Sequence, residues 1–166
     1  PGRARTILPP RRRVIALGDS FHRADGAEGL SGRDRERLER MTGLAEWLWL
    51  CGNHDPLPHG LGGATAEEAA IAGISLAHLP ETGSKPLIAG HLHPAARIAI
   101  NGRSVRASCF VCDDNLMILP AYGAATGSLN ILSPAFQGLI RYDRLQVVMT
   151  GRDRVYPVSP RRLVGG

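Results

Sequence analysis

Short apolar runs alternate with polar clusters through the first half of the chain. Four of these runs predict buried strands, because they are too short for helices and turn residues bound them. They cover Val14–Leu17, Ala45–Leu50, Ile74–Ala77 and Leu87–Ala89. The charged, leucine-spaced stretch from Ser31 to about Leu44 predicts a surface helix, since Ser31-Gly32-Arg33-Asp34 resembles a capping box. Residues 64–70 fit a short helix or an edge strand equally well.

Beyond Pro94 the pattern changes to antiparallel strands joined by tight turns. Asn101-Gly102 separates Arg97–Ile100 from Ser104–Val111, which predicts a hairpin with a type I′ turn. One helical turn is expected within residues 133–139. Further strands are predicted at Leu116–Leu119, Leu145–Met149 and Val155–Val158. The first half is therefore α/β and the second mostly β, and the absence of repeats or a linker favours one domain over residues 1–166.

The composition is that of a soluble globular domain, with 43% apolar residues in a chain of 166. No apolar stretch approaches the roughly 18 residues that span a bilayer, so we expect no membrane partner. Three cysteines are an odd number, which argues against a disulfide scaffold and favours a reducing, cytoplasmic location. Cys109 and Cys112 form a CxxC without a second pair or a neighbouring histidine, so we expect them to line a strand.

Arginine supplies nearly all of the positive charge. Nineteen arginines accompany the single Lys85, and the formal net charge is +5. Guanidinium groups bind phosphate in a planar, bidentate manner, so the excess is compatible with a nucleic-acid partner. It is equally compatible with a genome rich in Ala, Gly and Arg codons. Arg11-Arg12-Arg13 and Arg161-Arg162 could contact phosphates, although solvated surface charge is the simpler interpretation.

Each predicted strand of the first half leads to side chains that bind metals or move protons. Ligands of open α/β sheets collect at the carboxyl ends of strands, so these side chains are expected to converge. Carboxylate, amide and imidazole together suit Mn²⁺, Fe or Zn²⁺ better than Ca²⁺. A carboxylate can also bridge two cations about 3.5–4 Å apart, the usual geometry for hydrolysing phosphate esters. The residues in chain order are Asp19, Asn53, His54, His78, His91 and His93.

The order of these motifs resembles that of the calcineurin-like metallophosphoesterases. The matching residues are Gly18-Asp19, Gly52-Asn53-His54-Asp55, His78 and Gly90-His91-Leu92-His93. Softer motifs resemble the bacterial DNA-ligase-associated phosphoesterases, which are described as DNA-damage-response endonucleases. These are Leu17-Gly18-Asp19-Ser20-Phe21-His22, Gly90-His91-Leu92-His93-Pro94, Leu119-Pro120-Ala121-Tyr122-Gly123 and Val155-Tyr156-Pro157-Val158. The resemblance implies an αββα sandwich of two mixed β-sheets flanked by helices.

The resemblance also implies two divalent cations, with Mn²⁺ favoured over Fe or Zn²⁺. Asp19 would bridge both cations. Asn53, His78 and His91 would complete one metal site, and His93 would belong to the other. The implied substrate is nucleic acid, most simply DNA, and DNA ligase or helicase are the implied repair partners.

The remaining roles concern proton transfer and substrate contact. His54 would protonate the leaving group or contact a phosphoryl oxygen. Asp55 would lie behind His54 and orient its ring through a hydrogen bond. His22 could touch the substrate, with a solvated loop histidine as the alternative. His59 lies in a loop rich in Pro and Gly, so we expect it to be exposed.

One motif of the family has no counterpart in this chain. The family begins with Asp-x-His on a first, central strand, but residues 1–13 contain neither Asp nor His. We expect the motif upstream of Pro1, with a degenerate second metal site as the alternative. The sequence thus predicts a metal-dependent phosphodiester hydrolase, a nuclease acting on DNA in repair. A phosphatase or phosphodiesterase for small nucleotides and a non-catalytic metal-binding repair scaffold remain open.

Overall fold

A computed structural model describes residues 12–123 and 126–165. Residues 1–11, which include Arg11 of the first arginine run, lie outside this part, as do residues 124–125 and 166. The described chain forms two β-sheets, one of three strands and one of nine, with few helical elements. The fold is therefore mixed α/β, and the sheets carry most of the regular structure.

The small sheet contains the first three strands, which are all parallel to one another. They are β1 (Arg13–Ala16), β2 (Glu46–Leu50) and β3 (Ala64–Ala66), in that spatial order. Helix α1 (Gly32–Gly43) connects β1 to β2, because parallel neighbours need a crossover connection. Ser31 caps this helix as predicted, since its Oγ accepts a 3.1 Å hydrogen bond from the backbone N–H of Asp34.

The large sheet contains the other strands in mixed orientation. They are β4 (Glu68–Ile71), β5 (Ile74–Ala77), β6 (Leu87–Ala89), β7 (Pro94–Ile100), β8 (Arg103–Cys112), β9 (Leu116–Ile118), β10 (Leu129–Asn130), β11 (Gln146–Thr150) and β12 (Val155–Val158). The main path runs β10-β7-β8-β9-β6-β5-β4, and β11 pairs with β8 and β12. β5, β6 and β9 are parallel, as are β10 and β7. The front strands β5 and β6 therefore belong to the same sheet as the antiparallel second half.

Two local predictions are decided by these strands. Residues 64–70 form β3 and most of β4, so the strand interpretation is the correct one. Asn101 and Gly102 have φ angles of 49° and 74°, the two positive values that a type I′ turn requires, so the β7–β8 hairpin is confirmed. Cys109 and Cys112 both lie on β8, as expected, and all three cysteines are free thiols.

The expected sandwich of two mixed sheets flanked by helices needs correction. The small sheet is parallel, not mixed, in its described strands. Helix α1 is the one α-helix within residues 12–123 and 126–165, joined there by 3₁₀ turns at Pro134–Phe136 and Pro160–Arg162. Each of these turns stops at once because the next residue, Gln137 or Leu163, adopts extended backbone angles. No helix in the described ranges is long and apolar enough to cross a bilayer.

The main hydrophobic core packs on one face of the large sheet. Phe136, from a 3₁₀ turn, and Ile131 cover Val111 and Ile118 of the central strands, and all four are almost fully buried. Cys109 belongs to the same cluster, where burial raises the pKa of its thiol to about 12. This core packs against the central strands of the large sheet and so fixes the positions of their ends.

Asp113 fixes the turn between β8 and β9. One carboxylate oxygen accepts the N–H groups of Asn115 and Leu116, both at 2.9 Å, and the other accepts the N–H of Arg141 at 2.9 Å. Burial raises the pKa of Asp113, but the three N–H donors outweigh it and hold the pKa below its ordinary value. The carboxylate is therefore most stabilising when ionised.

Candidate metal centre

Loops from both sheets meet at the carboxyl ends of their strands. β1 and β2 lead to Asp19 and to residues 52–55, whereas β5 and β6 lead to His78 and to residues 91–93. His78 Nδ1 lies 2.7 Å from the backbone oxygen of Leu17, and this hydrogen bond joins the large sheet to the small one. The side chains that the sequence expects to converge therefore come from two sheets.

His78 stands at the centre of the convergence. Its Nε2 lies 2.9 Å from Asn53 Oδ1, 3.1 Å from Asp19 Oδ2 and 3.2 Å from His91 Nδ1. The ligand atoms of Asp19, His78 and His91 all lie within 4.8 Å of one another, as a metal site requires. The His78 side chain is 5% exposed and that of Asp19 11%, while Asn53 is exposed. The triad could hold a metal ion at a mostly buried position that is open to solvent on the side of Asn53.

The backbone contact of His78 orients its ring toward the candidate metal position. A carbonyl oxygen only accepts, so His78 Nδ1 must donate its proton to Leu17. This contact orients the ring so that Nε2 faces Asn53 Oδ1 and Asp19 Oδ2. A ring N–H bonded to a backbone carbonyl is also the usual support of a metal-bound histidine.

Electrostatics favour the neutral, ligating form of His91. Burial lowers the pKa of His91, and the neighbouring His78 lowers it further. Asp19 acts in the opposite direction, while His93 and His54 add small lowering effects. A lowered pKa keeps the imidazole lone pair available at neutral pH, as metal ligation requires.

The backbone is strained at three of the predicted metal ligands. Asp19, His91 and His93 have φ angles of 49°, 67° and 45°, in the left-handed region that side chains with a Cβ seldom adopt. Such strain persists only where surrounding contacts over-determine it, and it clusters at functional sites. The geometry of these loops is thus set by the site and not by local preference.

Two glycines allow the loops to approach this closely. A Cβ on Gly18, whose φ is 81°, would lie 2.6 Å from His78 Nδ1. A Cβ on Gly52 would overlap the backbone nitrogen and the Oδ1 of Asp19, and would lie 2.5 Å from Asp55 Oδ1. No alanine fits either position without moving the Asp19 loop or the His78 ring.

Asp55 has different partners from those expected. Its side chain is fully buried, and Oδ1 accepts the backbone N–H of Asp19 at 2.8 Å. Oδ2 accepts the N–H of Phe21 at 3.1 Å and bonds to His59 Nε2 at 3.1 Å. None of these contacts is with the His54 ring. Asp55 therefore anchors the loop that carries Asp19, which is a correction to the role assigned from the sequence.

The prediction that His59 is exposed is wrong. Its side chain is only 3% exposed and packs edge-on between Phe21 and Trp49, with ring centroids 4.8 and 5.2 Å away. The loop from 57 to 63 is held down because Trp49 Nε1 donates to Gly62 O at 2.8 Å and Leu61 is buried. Nothing in the local pattern signals this, since the loop is short and rich in Pro and Gly.

The other predicted residues surround the triad. The backbone N–H of His54 donates to Asp19 Oδ1 at 2.9 Å, while the His54 residue is exposed. His93 is half-buried and close enough to influence the pKa of His91, but its ring is not part of the compact ligand group in the described residues. His22 is exposed and follows Phe21 in the loop that Asp55 anchors.

Comparison with known proteins adds one informative match. No family model matches the chain, and no curated protein matches it by sequence. Among solved structures, the chain is similar to the crystal structure of the Pseudomonas putida nuclease MPE, with a TM-score of 0.66 and 27% sequence identity. The match covers 88% of this chain and 70% of that protein. Over most of its length, the chain is therefore similar in architecture to this nuclease.

Proposed function

We propose that this chain is a metal-dependent phosphodiester hydrolase of the calcineurin-like type that acts as a nuclease. The observation that carries the proposal is the compact group of Asp19, His78 and His91, whose ligand atoms all lie within 4.8 Å of one another. The nuclease described for Pseudomonas putida supports the substrate class, because it shares the architecture and 27% of the residues. Asn53 and His54 are exposed, so a phosphodiester would approach the metal centre from the side that these two residues form.

Asp19, Asn53, His78 and His91 would hold the first cation, and Asp19 with His93 would serve a second. The bound cations supply positive charge that stabilises the phosphoryl oxygens during hydrolysis. Mn²⁺ is the favoured metal, since the donors mix carboxylate, amide and imidazole.

The chain's own residues would orient the substrate and deliver a proton. The backbone N–H of His54 is fixed on Asp19 Oδ1, so its ring starts from a defined position beside the site. From there the imidazole would donate a proton to the leaving oxygen, a step that contributes about 10²–10⁴-fold to rate in other enzymes. Asp55 and His59 would hold the Asp19 loop in place beneath it.

Finer features of the proposal rest on the sequence resemblance. They are DNA as the nucleic acid, a role in DNA repair beside a ligase or helicase, and a cytoplasmic location, with which three free thiols agree.

The test measures metal binding and turnover separately. Calorimetric titration with Mn²⁺ should show binding that His78→Ala abolishes and His54→Ala preserves. Turnover of bis-p-nitrophenyl phosphate with Mn²⁺ should be lost in both variants. If the full-length gene product binds metal but hydrolyses neither this ester nor an oligonucleotide with Mn²⁺, Fe²⁺ or Zn²⁺, the enzymatic proposal is wrong. Hydrolysis of mononucleotide esters without oligonucleotide cleavage would instead favour the small-nucleotide alternative.

A further inference from the structure

Two arginines face each other across the β7–β8 hairpin. The antiparallel register pairs Arg97 of β7 directly with Arg106 of β8, so both side chains lie on the same face of the sheet. Like charges in this position destabilise a hairpin. No ion pair joins either arginine to a carboxylate within residues 12–123 and 126–165. The hairpin therefore carries two uncompensated cations side by side.

The surroundings of the pair are small and polar. The register places Ala95 opposite Ser108 and Ala99 opposite Ser104 on the same face, so short side chains flank the two arginines. Arg97 Nε is buried and has no hydrogen-bond partner in the described part of the chain. A buried guanidinium nitrogen without an acceptor is costly.

Arg106 is linked through a short chain of contacts to the loop that carries His93. Its Nη2 reaches across β7 and donates to both the backbone oxygen and the Oγ of Ser128, each at 2.7 Å. The next residue, Leu129, donates its N–H to the carbonyl oxygen of His93 at 3.1 Å. These two contacts and the width of one peptide group place Nη2 within about 8 Å of that His93 oxygen. His93 is one of the predicted metal ligands, so Arg106 lies near the loop that carries it.

We propose that Arg97 and Arg106 bind a backbone phosphate next to the one held at the metal centre. This inference rests on the proposed function and deepens it, because a second phosphate subsite selects a polynucleotide over a mononucleotide. Guanidinium groups suit the task, since each can give two parallel hydrogen bonds to phosphate oxygens. The ligand would accept hydrogen bonds from the two guanidinium groups and neutralise the repulsion between the two side chains.

Arg97→Ala is the most informative variant, because the Arg97 side chain has no hydrogen bond in the described structure to lose. Binding of a fluorescein-labelled 12-nucleotide DNA, measured by anisotropy in EDTA, should weaken about five- to tenfold. The slope of log affinity against log salt should fall by about 0.7 to 0.9. The melting temperature should stay the same or rise, since a like-charge pair has been removed. Arg106→Lys keeps a donor for Ser128 but loses bidentate geometry, and we expect weaker binding there too.

Arg103→Ala is the matched control, because it removes one arginine from the same hairpin on the opposite face. It should leave oligonucleotide affinity within twofold of wild type. With Mn²⁺ present, the ratio of kcat/KM for the oligonucleotide to that for bis-p-nitrophenyl phosphate should fall about tenfold in Arg97→Ala. Equal affinity and salt slope for wild type, Arg97→Ala and Arg106→Lys would overturn the subsite. Binding is measured in EDTA, so this outcome does not depend on the metal. A wild-type protein without metal-dependent turnover would instead overturn the proposed function.

Discussion

Gly52→Ala should disrupt the metal centre by adding a single methyl group. The new Cβ would overlap the backbone nitrogen and Oδ1 of Asp19 and approach Asp55 Oδ1 to 2.5 Å. One of these atoms belongs to the backbone, so the clash cannot be relieved by a side-chain rotation. The Asp19 loop must move away from residues 52–55.

The magnitude follows from the contacts at risk. Overpacking a closed site costs about 1–3 kcal/mol. Moving the Asp19 loop also weakens two hydrogen bonds, from Asp19 N–H to Asp55 and from His54 N–H to Asp19, each contributing about 1 kcal/mol. We expect the free energy of unfolding to fall by about 2–4 kcal/mol. Mn²⁺ affinity should fall by more than tenfold, because Asp19 Oδ2 leaves its position beside His78.

Urea denaturation with and without Mn²⁺ measures both effects. Gly43→Ala is the control, since a Cβ there meets nothing within 4 Å at the end of α1, and alanine is the better helix former. That variant should be as stable as wild type or slightly more stable, with unchanged metal affinity. A Gly52→Ala protein within about 0.5 kcal/mol of wild type that binds Mn²⁺ normally would refute the reasoning.

Three further predictions follow from buried or hydrogen-bonded groups. Asp55→Asn should lower stability by about 2–4 kcal/mol, because the amide nitrogen cannot accept the hydrogen bonds that Phe21 N–H and His59 Nε2 make to the second carboxylate oxygen. Calorimetry checks this. A large loss of kcat with unchanged stability would instead support the role of orienting His54. Asp113 has a lowered pKa, so it stabilises the fold above the unfolded value of 3.8, and this stabilisation is lost as the pH falls through the lower folded pKa. As the pH is lowered, the free energy of unfolding should therefore fall less in Asp113→Asn than in wild type. Identical curves of stability against pH for the two proteins would contradict the assignment. Cys109, whose thiol pKa is about 12, should resist iodoacetamide at pH 8 until the protein unfolds, as mass spectrometry of the peptides would show; rapid labelling of the native protein would disprove its burial.

Local patterns in the sequence predict most of the secondary structure. The Ser31 cap, the Asn101-Gly102 turn and the strands at 74–77 and 87–89 appear where the pattern indicates. These features depend on a few neighbouring residues, through turn geometry, capping and alternation of apolar side chains. The predicted convergence at strand ends is also local in origin, because each polar residue directly follows its own strand.

Partners that are distant in the chain could not be predicted in this way. His78 Nδ1 bonds to Leu17 across 61 positions, and the Phe21 N–H bonds to Asp55 across 34. The burial of His59 depends on Trp49, which holds the following loop against the small sheet.

The sequence by itself determined which side chains are available for metal binding and proton transfer, and at which strand ends they lie. The tertiary structure decided that two sheets share the site, that Asp55 supports the Asp19 loop, and that Arg97 lies opposite Arg106. The physical reason is that strand propensity and turn chemistry act over a few residues. Hydrogen-bond partners and strand register, by contrast, are fixed only when the whole chain packs.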